Sequence, residues 1–217
     1  MRFLVTLGPT YESLDEVRRL TNFSTGALGT QLSNYFMENG HEVTALRGYY
    51  AICTQPLKTK DAREFTTTEN LLAQLRYCSA QPYDALFHAA AVSDFRFGQV
   101  FERHAEGRLE PLTSRKFSTR SGALMAELVP TPKIISELRV FFPKTKLFGW
   151  KYEVDGGQAE ALSVGKKQLL ANNTDYCVVN GRAYGTGFGV LAKNGLLEHA
   201  PDAATLCQTL LHLALNR

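Results

Sequence analysis

The feature that most constrains this chain is the alternation of short apolar runs with stretches of helical spacing, sustained from end to end. Residues 3–7 read as a buried strand and a glycine-bearing loop follows. Residues 27–39 then place Leu28, Leu32, Tyr35 and Phe36 at helical spacing, with Gly40 as the stop. Residues 41–46 read as a second strand. Thr66 and Glu69 form the pattern of a capping box for a helix over 70–78, and 83–91 is a third buried strand. Beyond residue 122 the spacing predicts helices over 132–141, 158–172 and 202–215. It predicts strands over 146–152 and 175–180, and a hairpin of 188–192 with 196–198 around Lys193-Asn194-Gly195. Such a chain is α/β, with a Rossmann-like, mostly parallel doubly wound sheet, helices on both faces, and a small C-terminal hairpin and helix. Residues 93–122 read as the main irregular stretch. We find no repeat and no linker, so residues 1–217 are expected to form one domain.

Charge narrows the function classes. The chain of 217 residues carries 24 Lys+Arg against 21 Asp+Glu, a formal net charge of +3. That excess is too small for a nucleic-acid-coating or polybasic membrane-binding protein. It is concentrated in residues 101–151, where ten Lys/Arg face five Glu. A small anionic ligand and a solvated loop face explain that equally well. No run of apolar residues is long enough for a membrane span, and the start lacks a signal-peptide pattern. Cys53, Cys78, Cys177 and Cys207 form no C-x-x-C pair, which gives neither a zinc ribbon nor a disulfide framework. The expected location is the reducing cytoplasm.

Four constellations could carry chemistry. In the loop 8–29, Gly8 ends a strand where a ligand can approach the backbone, and Ser24-Thr25-Gly26 precedes a helix whose first amides can hold an anion. The plainer alternative makes Ser24 or Thr25 an N-cap and the glycines turn residues. The loop is neither G-x-G-x-x-G nor a P-loop. The run His88 to Asp94 ends a strand with small residues and a carboxylate at the sheet edge; tight strand–helix packing competes, and His88 reads as a satisfied strand residue. Ser114-Arg115-Lys116-Phe117-Ser118-Thr119-Arg120 could close over a phosphate chain, or simply be solvated. Gly149-Trp150-Lys151 with Asn180 could flank a base and ribose, where Trp150 as plain core is the default.

In this order the segments resemble phosphopantothenoylcysteine synthetase, the ligase of coenzyme A biosynthesis. The resemblance rests on Thr6-Leu7-Gly8-Pro9-Thr10-Tyr11-Glu12, on Val17 to Gly26, on Ala89-Ala90-Ala91-Val92-Ser93-Asp94-Phe95, on Val129 to Ile134, and on Gly149-Trp150-Lys151-Tyr152-Glu153. It implies joining of 4′-phosphopantothenate to cysteine through an acyl nucleotide made from CTP, with Mg²⁺ on the phosphates and no separate protein-held metal. ATP in place of CTP, and a catalytically weakened nucleotide-binding relative, are the alternatives; an NAD(P) oxidoreductase lacks its fingerprint. The resemblance further implies that Gly8, Ser24, Gly26, Gly29 and Lys167 hold the nucleotide phosphates, while Trp150 and Asn180 lie near its base and ribose. Arg18, Asn22, Ala90, Ala91 and Asp94 would meet the other substrate, and Asn22 and Lys116 would serve catalysis. Arg18 would reach the neighbouring subunit of a homodimer. Trp150 stands where the family usually has Phe, Ala27 where many members have Lys or Arg, and a second lysine expected near Ala171 or Asn172 is missing. The flavin-dependent decarboxylase often fused ahead of this domain has no room in 217 residues, so FMN is not expected.

Overall fold

The computed structural model describes residues 1–113, 117, 123–195 and 197–216, with only the backbone at Leu197. In chain order the elements are β1 (Arg2–Leu7), β2 (Tyr11–Ser13), β3 (Arg19–Thr21), α1 (Ala27–Glu38), β4 (Glu42–Gly48), β5 (Asp61–Phe65), α2 (Thr68–Cys78), β6 (Ala85–His88), β7 (Phe95–Arg103), β8 (Leu109–Leu112), β9 (Ala123–Pro130), α3 (Ile134–Phe141), β10 (Lys146–Tyr152), α4 (Gln158–Ala171), β11 (Tyr176–Asn180), β12 (Phe188–Ala192), β13 (Leu197–Ala200) and α5 (Ala203–Leu215). Eight strands form the main sheet in the order β13-β12-β11-β10-β6-β1-β4-β5. From β5 to β11 neighbours are parallel; β12 and β13 add antiparallel at one edge.

Strand alternation sorts the apolar side chains onto two faces. Phe3, Val5, Leu7, Phe87, Phe148 and Val178 pack with α1 and α5 through Leu32, Phe36, Leu206 and Leu210. Leu4, Leu46, Leu86 and Leu147 meet α2 and α3 on the other face, and Cys177, Val179 and Leu191 meet α4 there. The centre of the first face is aromatic. Phe87 and Phe148 stack at 4.4 Å, and Phe36 lies 4.7 Å from Phe87 and 4.8 Å from Phe3.

The structure corrects the sequence expectations in several places. Residues 95–103 and 109–112, within the stretch expected to be irregular, form β7 and β8 of a separate antiparallel sheet ordered β8-β7-β9. A register shift between Phe97 and Val100 breaks the period-two pattern there, so no alternation survives to be read. The edge strand β5 was equally silent, because four of its five residues are not buried. The loop 8–29 contains the β2–β3 hairpin. The third strand stops at His88, and residues 89–91 run on to a single bridge between Ala91 and Pro9. At α2 the cap is Thr67, not Thr66: its side chain accepts from Asn70 N–H, and Asn70 Oδ1 in turn accepts Thr66 N–H. At α1 the cap is Gly26, in a left-handed conformation at φ 78°, rather than Ser24 or Thr25. Strand β9 was not expected either; the remaining strands and helices stand within about three residues of their expected bounds.

Candidate functional site

The main sheet reverses its direction of growth at β1: the chain first moves outward through β4 and β5, then returns to β6 on the other side and continues to β10 and β11. Ligands of doubly wound sheets lie beyond the carboxyl ends of the strands at such a point. A cavity of about 710 Å³ opens there, lined by residues 22–29, 88–94, 132–135 and 150–152 with Gln168 and Asn180.

Each wall follows from local chemistry. The first turn of a helix leaves its amides without intrahelical partners. In α1 the first helical bond runs from Thr30 N–H to Gly26 C=O, and Thr25 Oγ1 takes Ala27 N–H at 3.2 Å. This end of α1 can approach β1 only because Gly29 has no side chain: a Cβ there would lie 2.3 Å from Leu7 Cβ. Gly8, also at positive φ, turns the chain out of β1 against Ala51, behind the lining. Asn22 Nδ2 donates to Ala91 C=O at 3.2 Å, tying the wall of α1 to that of β6.

At the end of β6, Thr6 Oγ1 accepts Ala90 N–H at 3.2 Å and stands 2.9 Å from His88 Nδ1. Burial pulls His88 down to about 4, so the ring in this wall is neutral at neutral pH. Thr10 joins the same wall from below, donating to Ser93 Oγ and accepting Ser93 N–H. Asp94 is exposed at the rim and is, among the described residues, the one carboxylate of the lining.

The far wall is β10. Trp150 packs toward the α1/α5 face, and its Nε1 is buried with no hydrogen-bond partner among the described residues. Its carbonyl accepts Gln168 Nε2–H from α4 at 3.0 Å. Lys151 leaves by the opposite face and pairs with Glu153 at 2.9 Å. Asn180 ends β11, where its carbonyl accepts Glu153 N–H.

Of the residues singled out from sequence, Asn22, Ser24, Gly26, Gly29, Ala90, Ala91, Asp94, Trp150 and Asn180 share this cavity. Arg18 and Lys167 stand outside its lining. Lys167 is exposed on α4, whose cavity-facing residue is Gln168. Arg18 holds Asp15 through Nε and Nη2 and donates to Phe117 C=O. Burial would raise the Asp15 carboxyl. The amides of Val17, Phe117 and Arg18, with the Arg18 side chain, more than offset that and bring it down to about 2. Lys116 lies outside the described residues. Sequence reading placed Lys133 and Lys151 within its motifs but gave neither a role, and it missed Gln168; the signal for Lys151 was that it follows Gly149 by two on a strand, and so shares its face.

Topology and lining together define a Rossmann-like α/β fold with a cavity at the carboxyl ends of its parallel strands. The chain belongs to the family described as the DNA/pantothenate metabolism flavoprotein C-terminal domain, which its residues 1–205 match. A Coenzyme A biosynthesis bifunctional protein CoaBC from Thermococcus kodakarensis is 32% identical over 82% of this chain and 41% of its own length. The chain thus spans about two-fifths of that curated relative. The crystal structure of the DNA/Pantothenate Metabolism Flavoprotein from Streptococcus pneumoniae is 28% identical, with a TM-score of 0.82 over 98% of this chain and 97% of that one. A Cab2 mutant in complex with phosphopantothenate-cysteine shares the fold, at 20% identity and a TM-score of 0.71 over 99% of this chain and 85% of that one. Among the described residues no helix is long and apolar enough to cross a membrane.

Proposed function

We propose that this chain joins 4′-phosphopantothenate to L-cysteine, using CTP, as a ligase of coenzyme A biosynthesis. The observation that carries the reading is convergence. Four segments far apart in sequence, around Asn22–Gly29, Ala89–Asp94, Pro132–Ile134 and Trp150–Tyr152, line one cavity. The names of the curated relatives point the same way, and a protein of this fold holds the ligated product.

A carboxylate does not acylate an amine at neutral pH until one of its oxygens becomes part of a leaving group. In the first step a carboxylate oxygen of the pantothenate moiety attacks the α-phosphorus of CTP, and the bond to the β-phosphate oxygen breaks to release pyrophosphate. In the second step the cysteine amine attacks the acyl carbon. CMP leaves with the carboxyl oxygen, and the amine loses its proton. Catalysis of this kind is mostly positioning and charge neutralisation. The open amides of α1 after Gly26 receive phosphate oxygens. The Asn22 amide, held at Ala91, and the backbone at Ala90 and Ala91 orient the acyl group. Trp150 and Asn180 face the nucleoside. Mg²⁺ would come with the nucleotide phosphates and neutralise their charge, with Asp94, the one lining carboxylate among the described residues, available to hold it. No cluster of three metal-binding side chains occurs among the described residues. Lys116 would stabilise charge at the α-phosphate. Arg18 would serve the site of a second subunit in a homodimer, and residues 1–217 act as one domain.

The test is pyrophosphate release by the purified chain with 4′-phosphopantothenate and CTP or ATP, with and without cysteine. Release with CTP, and amide formation only when cysteine is present, is the expected result. Release with ATP alone would move the nucleotide choice; release with neither would overturn the ligase.

A further inference from the structure

Among the described residues, the cavity holds little fixed positive charge for a ligand carrying a triphosphate. Among the described residues, its lysine and arginine side chains are Lys133 and Lys151 alone. Helix α4 is the element that the family resemblance expects to supply a phosphate-facing lysine. It turns Lys166 and Lys167 to solvent and presents Gln168 instead, already engaged with the Trp150 carbonyl.

The position of Lys151 follows from the pleat of β10. A Cβ at Gly149 would meet Ile135 Cδ1 at 2.9 Å and Gln168 Nε2 at 3.3 Å, so that face of the strand looks between α3 and α4. Trp150 takes the other face, and Lys151 returns to the first one at the carboxyl end of the strand. Its side chain is one-third exposed, and its ammonium is held at 2.9 Å by Glu153, two residues on. The ammonium is thus kept at the sheet edge, partly shielded from water, where a charge-assisted bond is stronger than on an open surface. Lys133, by contrast, is exposed at the start of α3.

We propose that Lys151 takes in this chain the phosphate-neutralising part that the resemblance gives to a lysine of α4. The inference rests on the ligase reading and deepens it: the charge comes from the strand and not from the helix. Glu153 holds the ammonium in the absence of nucleotide and yields it to a phosphate oxygen when one arrives.

Calorimetric titration with CTP and, separately, with inorganic tripolyphosphate tests this without turnover. Tripolyphosphate isolates the phosphate contact from the base. Lys151→Gln should weaken both ligands about ten- to a hundredfold, the usual range for losing a hydrogen bond between charged groups. Lys151→Arg, which keeps the charge, should retain most of the affinity, and it keeps the test decisive if the glutamine variant misfolds. Lys167→Gln should change either affinity less than about twofold, as expected of an exposed charge. Equal affinity of Lys151→Gln and the parent, or a loss in Lys167→Gln as large as in Lys151→Gln, would overturn the assignment alone. Failure of the parent to bind CTP, ATP and tripolyphosphate would overturn the ligase reading and this assignment with it.

Discussion

The main sheet and the small sheet β8-β7-β9 are both hydrogen-bonded ladders, yet they are held in different ways. In β1 and β6 nearly every residue is buried on one face or the other. In β7, β8 and β9 one residue, Val100, is buried, while Phe95, Leu109, Met125 and Leu128 stand half exposed. The small sheet is fastened at its root, where Thr131 N–H bonds the Asp94 carbonyl, and a register shift interrupts its ladder between Phe97 and Val100. Backbone pairing alone therefore does not make a core. Burial on both faces does, because apolar area removed from water is the dominant favourable contribution to folding.

The comparison breaks most visibly at Phe87, which touches Phe3, Phe36 and Phe148 in the centre of the main sheet. Phe87→Ala should cost about 3–5 kcal/mol in denaturant unfolding. A loss below about 1 kcal/mol would show that the aromatic cluster is not the keystone of that face.

Gly29→Ala should cost up to about 3 kcal/mol, because the new methyl sits against Leu7 and α1 must lift from β1. The same shift displaces the amides of the cavity, so CTP affinity should fall with stability. Parent-like behaviour in both would mean that the helix moves freely.

The buried imidazole gives a pH signature to the same region. His88 titrates near about 4 in the folded chain, below the ordinary value of about 6.5 in the unfolded one. The unfolded state therefore binds the proton more readily. Stability is complete above about pH 6.5 and declines as the pH drops toward about 4, below which no more is lost. Between about pH 7 and about pH 5 the parent should lose about 2 kcal/mol more than His88→Asn. Parallel stability curves would place the imidazole in water.

The smallest effect belongs to the small sheet. Leu128→Ser should alter unfolding free energy by no more than about 0.5 kcal/mol, as surface substitutions usually do. A loss of several times that would mean that this face packs on something when the chain is in solution, and the contrast between the sheets would have to be redrawn.

How well each region could be read from sequence follows the same divide. Strand β10, helix α4 and the β12–β13 hairpin stand close to where periodicity puts them, because burial on a regular face writes a regular pattern. β5 and β7 carry half-exposed or bulged patterns and wrote none. The site divides likewise. Asn22, Ala90, Asp94, Trp150 and Lys151 lie in contiguous motifs, whereas Gln168 became visible only once β10 and α4 were set side by side.

What the sequence determined by itself was the order of elements, the parallel sheet they imply, and the segments that carry chemistry. All of these depend on side chains a few residues apart. The tertiary structure alone decided that Gly26 and not Ser24 ends the loop before α1. It also decided that burial in the sheet keeps His88 neutral, and that α4 turns Gln168 rather than Lys167 toward the cavity. Those outcomes depend on which surfaces meet across the sheet. A pattern of local spacing cannot encode them, because burial and hydrogen bonding are settled by partners that can lie more than 80 residues away in the chain.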